Sequence, residues 1–157
     1  MHLYIRQKVF SWRDKFAVCD VNQNPVYYVE SELFTFGKKL HIRDTSGNEV
    51  CYIEQQLFRW MPTFHAYISG AAPIEIKQQF SFLLPKYTVE PLGWQVEGNF
   101  FEHEYRFIAP FGEAAKLSKE WLTWGDAYEL TVYDPKDAVA ALASVIIIDA
   151  IIAQRQN

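Results

Sequence analysis

The segment DAVAALASVIIIDAII, Asp137 to Ile152, decides how the rest of this chain is read. It is apolar on every side of a helix. Between Ala138 and Ala153 only Ser144 and Asp149 are polar, and two such residues cannot make a solvated face. The start is well marked. Asp134 offers an N-cap carboxylate, Pro135 suits the first helical position, and Asp137 puts an acid in the first turn. Gln154-Arg155-Gln156-Asn157 then carries the chain into water, so the pattern predicts a helix over about 135–154.

Two environments compete for this helix. As a membrane anchor, sixteen residues span only about 24 Å, against a hydrocarbon core of about 30 Å. Asp149 near the bilayer centre would add about 2.5–3.5 kcal/mol. Burial by protein on all sides gives the side chains a use. Eight large aliphatic residues at about 1.5–3 kcal/mol each contribute roughly 12–24 kcal/mol, as an upper bound. The second environment is favoured, with Ile147 at its heart, and the chain is not expected to be transmembrane.

A helix buried all round needs a wall. Everything before residue 134 reads as short strands between turn signals: Asn22-Gln23-Asn24-Pro25, Asp44-Thr45-Ser46-Gly47-Asn48, Gly70-Ala71-Ala72-Pro73, Pro110-Phe111-Gly112 and Trp124-Gly125-Asp126. KLHIRD, PIEIKQQF and YELTVY alternate apolar and polar residues, the pattern of a half-buried strand. A faint repeat runs through them. IEQQLFRWMPTFHAYI from Ile53 aligns with IKQQFSFLLPKYTVEP from Ile76, and the same spacing fits around Ile5, Val29 and Leu117. Each copy is strand, connection, strand. Six copies give about twelve strands, which must close or sandwich to hide their edges. An eight-stranded barrel is filled by its own side chains, whereas a wider one has room for a helix. The expected architecture is therefore a mainly β, twelve-stranded antiparallel closed barrel around the C-terminal helix. It forms one domain over 1–157, with strands in 1–133.

Composition narrows the function classes. The chain has 157 residues, half of them hydrophobic and 17% aromatic, which is globular and not disordered. A net charge of -4 argues against nucleic acid as a partner. Cys19 and Cys51 lie in apolar runs and read as reduced core residues of a cytoplasmic protein. The N-terminus MHLYIRQKVFSW lacks a signal-peptide pattern, and neither end carries a lipidation motif. The default oligomeric state is a monomer.

YIRQK, Asp20 and Asp44 after strands, GKKLHIRDTSGNE, KLSKEW, DAYELTVYDPKDAV and IIIDAI together resemble the LURP-one-related family, in its bacterial single-domain form. That resemblance covers essentially the whole chain. It implies kinship with the tubby C-terminal domain and the phospholipid scramblases, and hence a twelve-stranded barrel around a central hydrophobic helix.

No catalytic signature of nucleotide, hydrolase, metalloprotease or redox type is present, so the chain is expected to be no enzyme and to need no cofactor or metal. His103 between Glu102 and Glu104 reads as a solvated strand or turn. Asp20-x-Asn22-x-Asn24 mimics calcium ligands, but Pro25 and Ser31 stand where such a loop needs Gly and Glu, so it and the Asp44 loop read as hairpin turns. Lys38, Lys39, His41 and Arg43 are the binding candidates, the last three forming an outward row if Leu40 and Ile42 point inward. The tubby resemblance implies a phosphoinositide site with a Lys-x-Arg just upstream. Glu30-Ser31-Glu32 stands there instead, if the glycines align at Gly37. In the connection LFRWMPTF, Phe58, Trp60 and Met61 either touch a partner or membrane or plug one barrel end, and the plug is favoured.

Asp149 must find partners inside the barrel. The repeat has a polar column (Gln7, Ser31, Gln55, Gln78, Lys119) between apolar neighbours, so a polar ring is expected in the lumen, with Asp149 bound to Lys119 or a glutamine. The function expected from all this is non-catalytic binding or scaffolding with a protein partner. The alternative is a peripheral domain that binds a phospholipid headgroup at the membrane.

Overall fold

The structure, a computed structural model, describes residues 1–6, 15–33, 35–122 and 125–155, the side chains of 125 and 126 excepted. Twelve strands precede one helix. They are β1 (His2–Arg6), β2 (Phe16–Cys19), β3 (Pro25–Ser31), β4 (Lys39–Asp44), β5 (Glu49–Gln56) and β6 (Thr63–Ile68). β7 (Ile74–Gln79), β8 (Lys86–Glu90), β9 (Trp94–Asn99), β10 (Glu104–Ala109), β11 (Gly112–Leu122) and β12 (Gly125–Val132) complete the set. A 3-10 turn, Pro135–Asp137, leads into α1 (Ala138–Arg155).

Each strand pairs antiparallel with the next. β1 then pairs with β12, setting Leu3 opposite Leu130 and Ile5 opposite Tyr128, and the barrel closes. Closure removes the free edges that twelve short strands would otherwise expose. Alternation decides the faces. Leu40, Ile42, Ile53, Ile76 and Val89 point inward and are buried, while the residues between them face out.

The lumen holds α1. Ala141, Leu142, Val145, Ile146, Ile147 and Ile148 are wholly buried, and burial continues to Ile152. By length and composition alone Pro135–Arg155 could cross a membrane. Here most of it lies inside the barrel. The helix starts as the sequence marks it. Asp134 Oδ1 accepts from the Lys136 backbone N–H at 3.1 Å, and Pro135 follows in the first turn.

The calcium-like loops are hairpin turns. Asp20 Oδ1 accepts from the backbone N–H groups of Asn22 (2.9 Å) and Asn24 (3.0 Å). Asp44 Oδ1 does the same for Ser46 and Asn48, both at 2.9 Å. These bonds hold the Asp44 carboxyl below its ordinary range, the Asn48 backbone bond first. Each aspartate is thereby occupied with its own turn. Cys19 and Cys51 are free thiols.

Candidate functional site

In a closed antiparallel meander, successive connections alternate between the two barrel ends. The β3–β4, β5–β6, β7–β8, β9–β10 and β11–β12 connections share one end, with Lys15 before β2 beside them. β12 runs away from that end, so α1 enters from the far side and its C-terminus returns to the shared end. There Gln154 Nε2 donates to Gln55 Oε1 at 3.1 Å, next to the last residue of β5.

This end is the more apolar of the two, although the other exposes Val21, Phe111 and Tyr133. The β3–β4 connection exposes Leu33 and Phe36, and β5–β6 exposes Leu57, Phe58 and Trp60. β7–β8 exposes Phe80, Phe82, Leu83 and Leu84, β9–β10 exposes Phe101, and Trp121 ends β11. These are eleven of the sixteen exposed large apolar side chains among the described residues. The barrel plug expected of Phe58 and Trp60 is overturned, because they are 98% and 93% exposed and α1 already fills the lumen. Phe58 also has a φ of 59°, a left-handed conformation that costs an aromatic residue about 1–2 kcal/mol. Backbone strain and full exposure coincide at one phenylalanine, and neither stabilises the fold.

Just beneath the rim, α1 meets a polar cluster. Asp149 is 6% exposed, and its Oδ1 lies 2.8 Å from His103 Nε2. The His103 ring stacks on Tyr128, centroids 4.4 Å apart. His103 is no solvated strand residue. It sits in the β9–β10 connection with a φ of 56°, and that departure from strand geometry turns its imidazole inward. Gly98 helps to shape this hairpin. With a φ of 140°, its missing Cβ leaves room for the Glu104 carbonyl, which a Cβ would approach to 2.4 Å. Tyr105, paired with Gly98, buries a hydroxyl that has no protein partner among the described residues. Burial, and then the charge of Asp149, push that phenol well above its ordinary range.

The expected pairing of Asp149 with Lys119 is corrected. Lys119 Nζ lies over the Trp121 ring, 5.1 Å from its centroid, and the carboxylate meets His103 instead. The polar column does meet the helix, but about one and a half turns further on. Gln55 meets Gln154, and Gln78 is buried with its amide oxygen 3.0 Å from Arg155 Nη2 once the amide faces the guanidinium. Gln7 lies outside the described residues.

The row on β4 is outward, with Lys39, His41 and Arg43 flanking the buried Leu40 and Ile42, and Lys38 just before the strand. Acids surround it. His41 lies between Glu32 (Nε2 to Oε2, 3.0 Å) and Glu49, which meets Nδ1. Glu54 stands opposite Lys39, and Glu49 opposite Arg43. An anion would meet carboxylates beside every cation of the strand. A trough of about 650 Å³ crosses the outside of β7–β9, and it too mixes Lys77 and Lys86 with Glu75, Glu90 and Glu97. As for nucleophiles, burial pushes the Cys51 thiol up to about 12, far from reactive.

The family model for LURP-one-related proteins matches residues 1–149. The chain is 29% identical over 152 residues to an uncharacterised protein, YxjI, of Bacillus subtilis (strain 168), covering 97% of this chain and 94% of that protein. Its fold matches the crystal structure of an Arabidopsis thaliana protein with a TM-score of 0.64, at 16% identity, over 96% of this chain and 90% of that one.

Proposed function

The chain belongs to the LURP-one-related family, and we propose that it is a non-catalytic binding domain of the cytoplasm whose contact surface is the apolar end of the barrel. One observation carries this reading. Among the described residues, eleven of sixteen exposed large apolar side chains gather at a single end, and exposed apolar patches of that kind mark interaction sites. The strain at Phe58 supports it, because a fold optimised only for stability has no use for a left-handed, fully exposed phenylalanine. The rigid barrel acts as the scaffold and the connections as the contact. The second surface, Lys38, Lys39, His41 and Arg43, is less suited to a phospholipid headgroup, because Glu32 and Glu49 already occupy the His41 ring.

Photo-crosslinking in living cells tests the assignment. A benzophenone amino acid replaces Phe58 or Phe82 at the apolar end, Phe111 at the opposite end, or Tyr67 on the barrel side. Adducts should form from the first pair and not from the second. Adducts from Phe111 or Tyr67 with none from Phe58 and Phe82 refute it.

A further inference from the structure

Resting on that reading, we infer that the apolar end docks on an anionic phospholipid bilayer, with the connections inserted shallowly and the barrel axis close to the membrane normal.

The shape of the surface separates a bilayer from a protein partner. Phe58, Trp60, Phe82 and Leu83 are each more than nine-tenths exposed. They project from two different connections, Phe82 packed edge-on against Phe80, and do not line a groove. A protein surface must supply a fitted pocket for each projection, whereas a fluid lipid interface closes around all of them. The residue types agree, since tryptophan, phenylalanine and leucine are the side chains that partition to that interface. The apolar positions also recur from β3 round to β11, at one end of a closed cylinder. A contact at all of them is planar, so it sets the axis across the plane.

Charge agrees as well. Lys15, Lys38, Arg59 and Arg155 lie in or beside these connections, and Lys86 opens β8. The acids there are Glu32, engaged by His41, Glu102, Glu104, which accepts from the Lys119 backbone N–H, and Asp126, second in β12. The opposite end carries Asp20, Asp44, Asp134 and Asp137 against Lys136. A molecule of net charge -4 thus turns its cationic, apolar end toward a negative surface and holds its acids away from it. Depth is limited by the backbone. Connections with unpaired N–H and C=O groups cannot enter the hydrocarbon, so insertion stops about 5–10 Å into the headgroup boundary.

The test is co-sedimentation of the whole chain with large vesicles. One set is phosphatidylcholine alone, and the other has roughly one part phosphatidylglycerol to three parts phosphatidylcholine. Binding should favour the anionic vesicles and fall with salt. Phe58→Ser/Trp60→Ser/Phe82→Ser should weaken it more than about tenfold while leaving the thermal melt unchanged, because all three side chains are solvent-exposed. Arg59→Gln/Lys86→Gln should weaken it less and flatten the salt dependence. Phe111→Ser, fully exposed at the other end, should have no effect. A wild-type chain that stays in the supernatant with anionic vesicles overturns the inference. So does a triple variant that binds as wild type, or a Phe111→Ser variant that loses binding. If vesicles fail while crosslinks from Phe58 and Phe82 go to a protein, the bilayer is wrong and the apolar end remains the contact surface.

Discussion

Replacing Ile147 by lysine places a cation midway along the buried helix. Ile147 is wholly buried, nine residues after Ala138 and eight before Arg155 in α1. At 1.5 Å per residue it lies about 12–13 Å from either helix end. A lysine stem reaches only about 6 Å, so the ammonium cannot snorkel to either mouth of the barrel. The barrel wall closes every sideways route, since its inward positions at Leu40, Ile42, Ile53 and Ile76 are aliphatic. The lysine must then lose its proton. A depression of about 3–5 pKa units at about 1.4 kcal/mol each comes to roughly 4–7 kcal/mol. The lost isoleucine burial adds about 1.5–3 kcal/mol. The sum is as large as the total stability of an ordinary domain, about 5–15 kcal/mol.

Ile147→Lys should therefore accumulate as insoluble protein and show no cooperative melt by circular dichroism. Ile147→Ala is the control. It loses only the side chain and leaves a cavity, at about 2–5 kcal/mol. It should stay folded, with a Tm lowered by roughly 4–20 °C. A soluble Ile147→Lys chain that melts cooperatively within the alanine range would refute the reasoning, because it would mean that water or an acid reaches the middle of α1.

The pair under the rim behaves differently, because its cost lies in breaking it. His103→Ala should destabilise by about 1–3 kcal/mol in urea titrations, whereas His103→Phe with Asp149→Leu should be at least as stable as either single change; a double variant worse than both would mean that the pair is a net stabiliser. Cys51, with its thiol pushed up to about 12, is only about one part in ten thousand thiolate at pH 8. It should therefore resist Ellman's reagent until the barrel unfolds, while Cys19, partly exposed, reacts first; two native thiols that titrate together at the rate of a free thiol would contradict the buried placement.

The fold was legible because its two signals are of the kinds that sequence carries well. α1 is apolar on all sides over a length that only an enclosing sheet can satisfy. The wall announces itself by alternation, as in Lys39–Asp44, where Leu40 and Ile42 are buried and their neighbours are not. Both are periodic, and a period survives without knowledge of tertiary contacts. The partner of Asp149 was not legible for the complementary reason. His103 reads as a solvated strand or turn; it is in a turn, but a φ of 56° aims its ring inward, away from solvent, which no pattern shows. Likewise the polar column named Gln55 and Gln78 as lumen neighbours of the helix, yet only the axial position of the helix determines which turn they meet. They reach Gln154 and Arg155 and not Asp149. A displacement of about one and a half turns along the barrel axis leaves no trace in a hydrophobic pattern.

The apolar end was readable in principle, through parity. In a closed meander the odd and even connections never share an end. Sorted that way, the sequence divides into two compositions. One set reads LFTFG, LFRWMP, FSFLLP and FFEH, each with a phenylalanine or tryptophan; the other reads VNQNP, TSGN, SGAAP, PLG and PFG, mostly turn formers, with Phe111 as the exception. A hairpin connection needs glycine, asparagine or proline to reverse the chain. The second set satisfies that need with little besides, Val21 and Phe111 apart. The first departs from it at every copy, which chance along the chain does not produce and core packing does not require, since α1 fills the lumen. What sequence reading lacked was the sorting of the connections by barrel end. With LFRWMPTF taken alone, a plug and a contact are equally good uses for Phe58 and Trp60. Once twelve strands close around a helix that reaches the rim, the plug has nowhere to go, and the same residues become a surface.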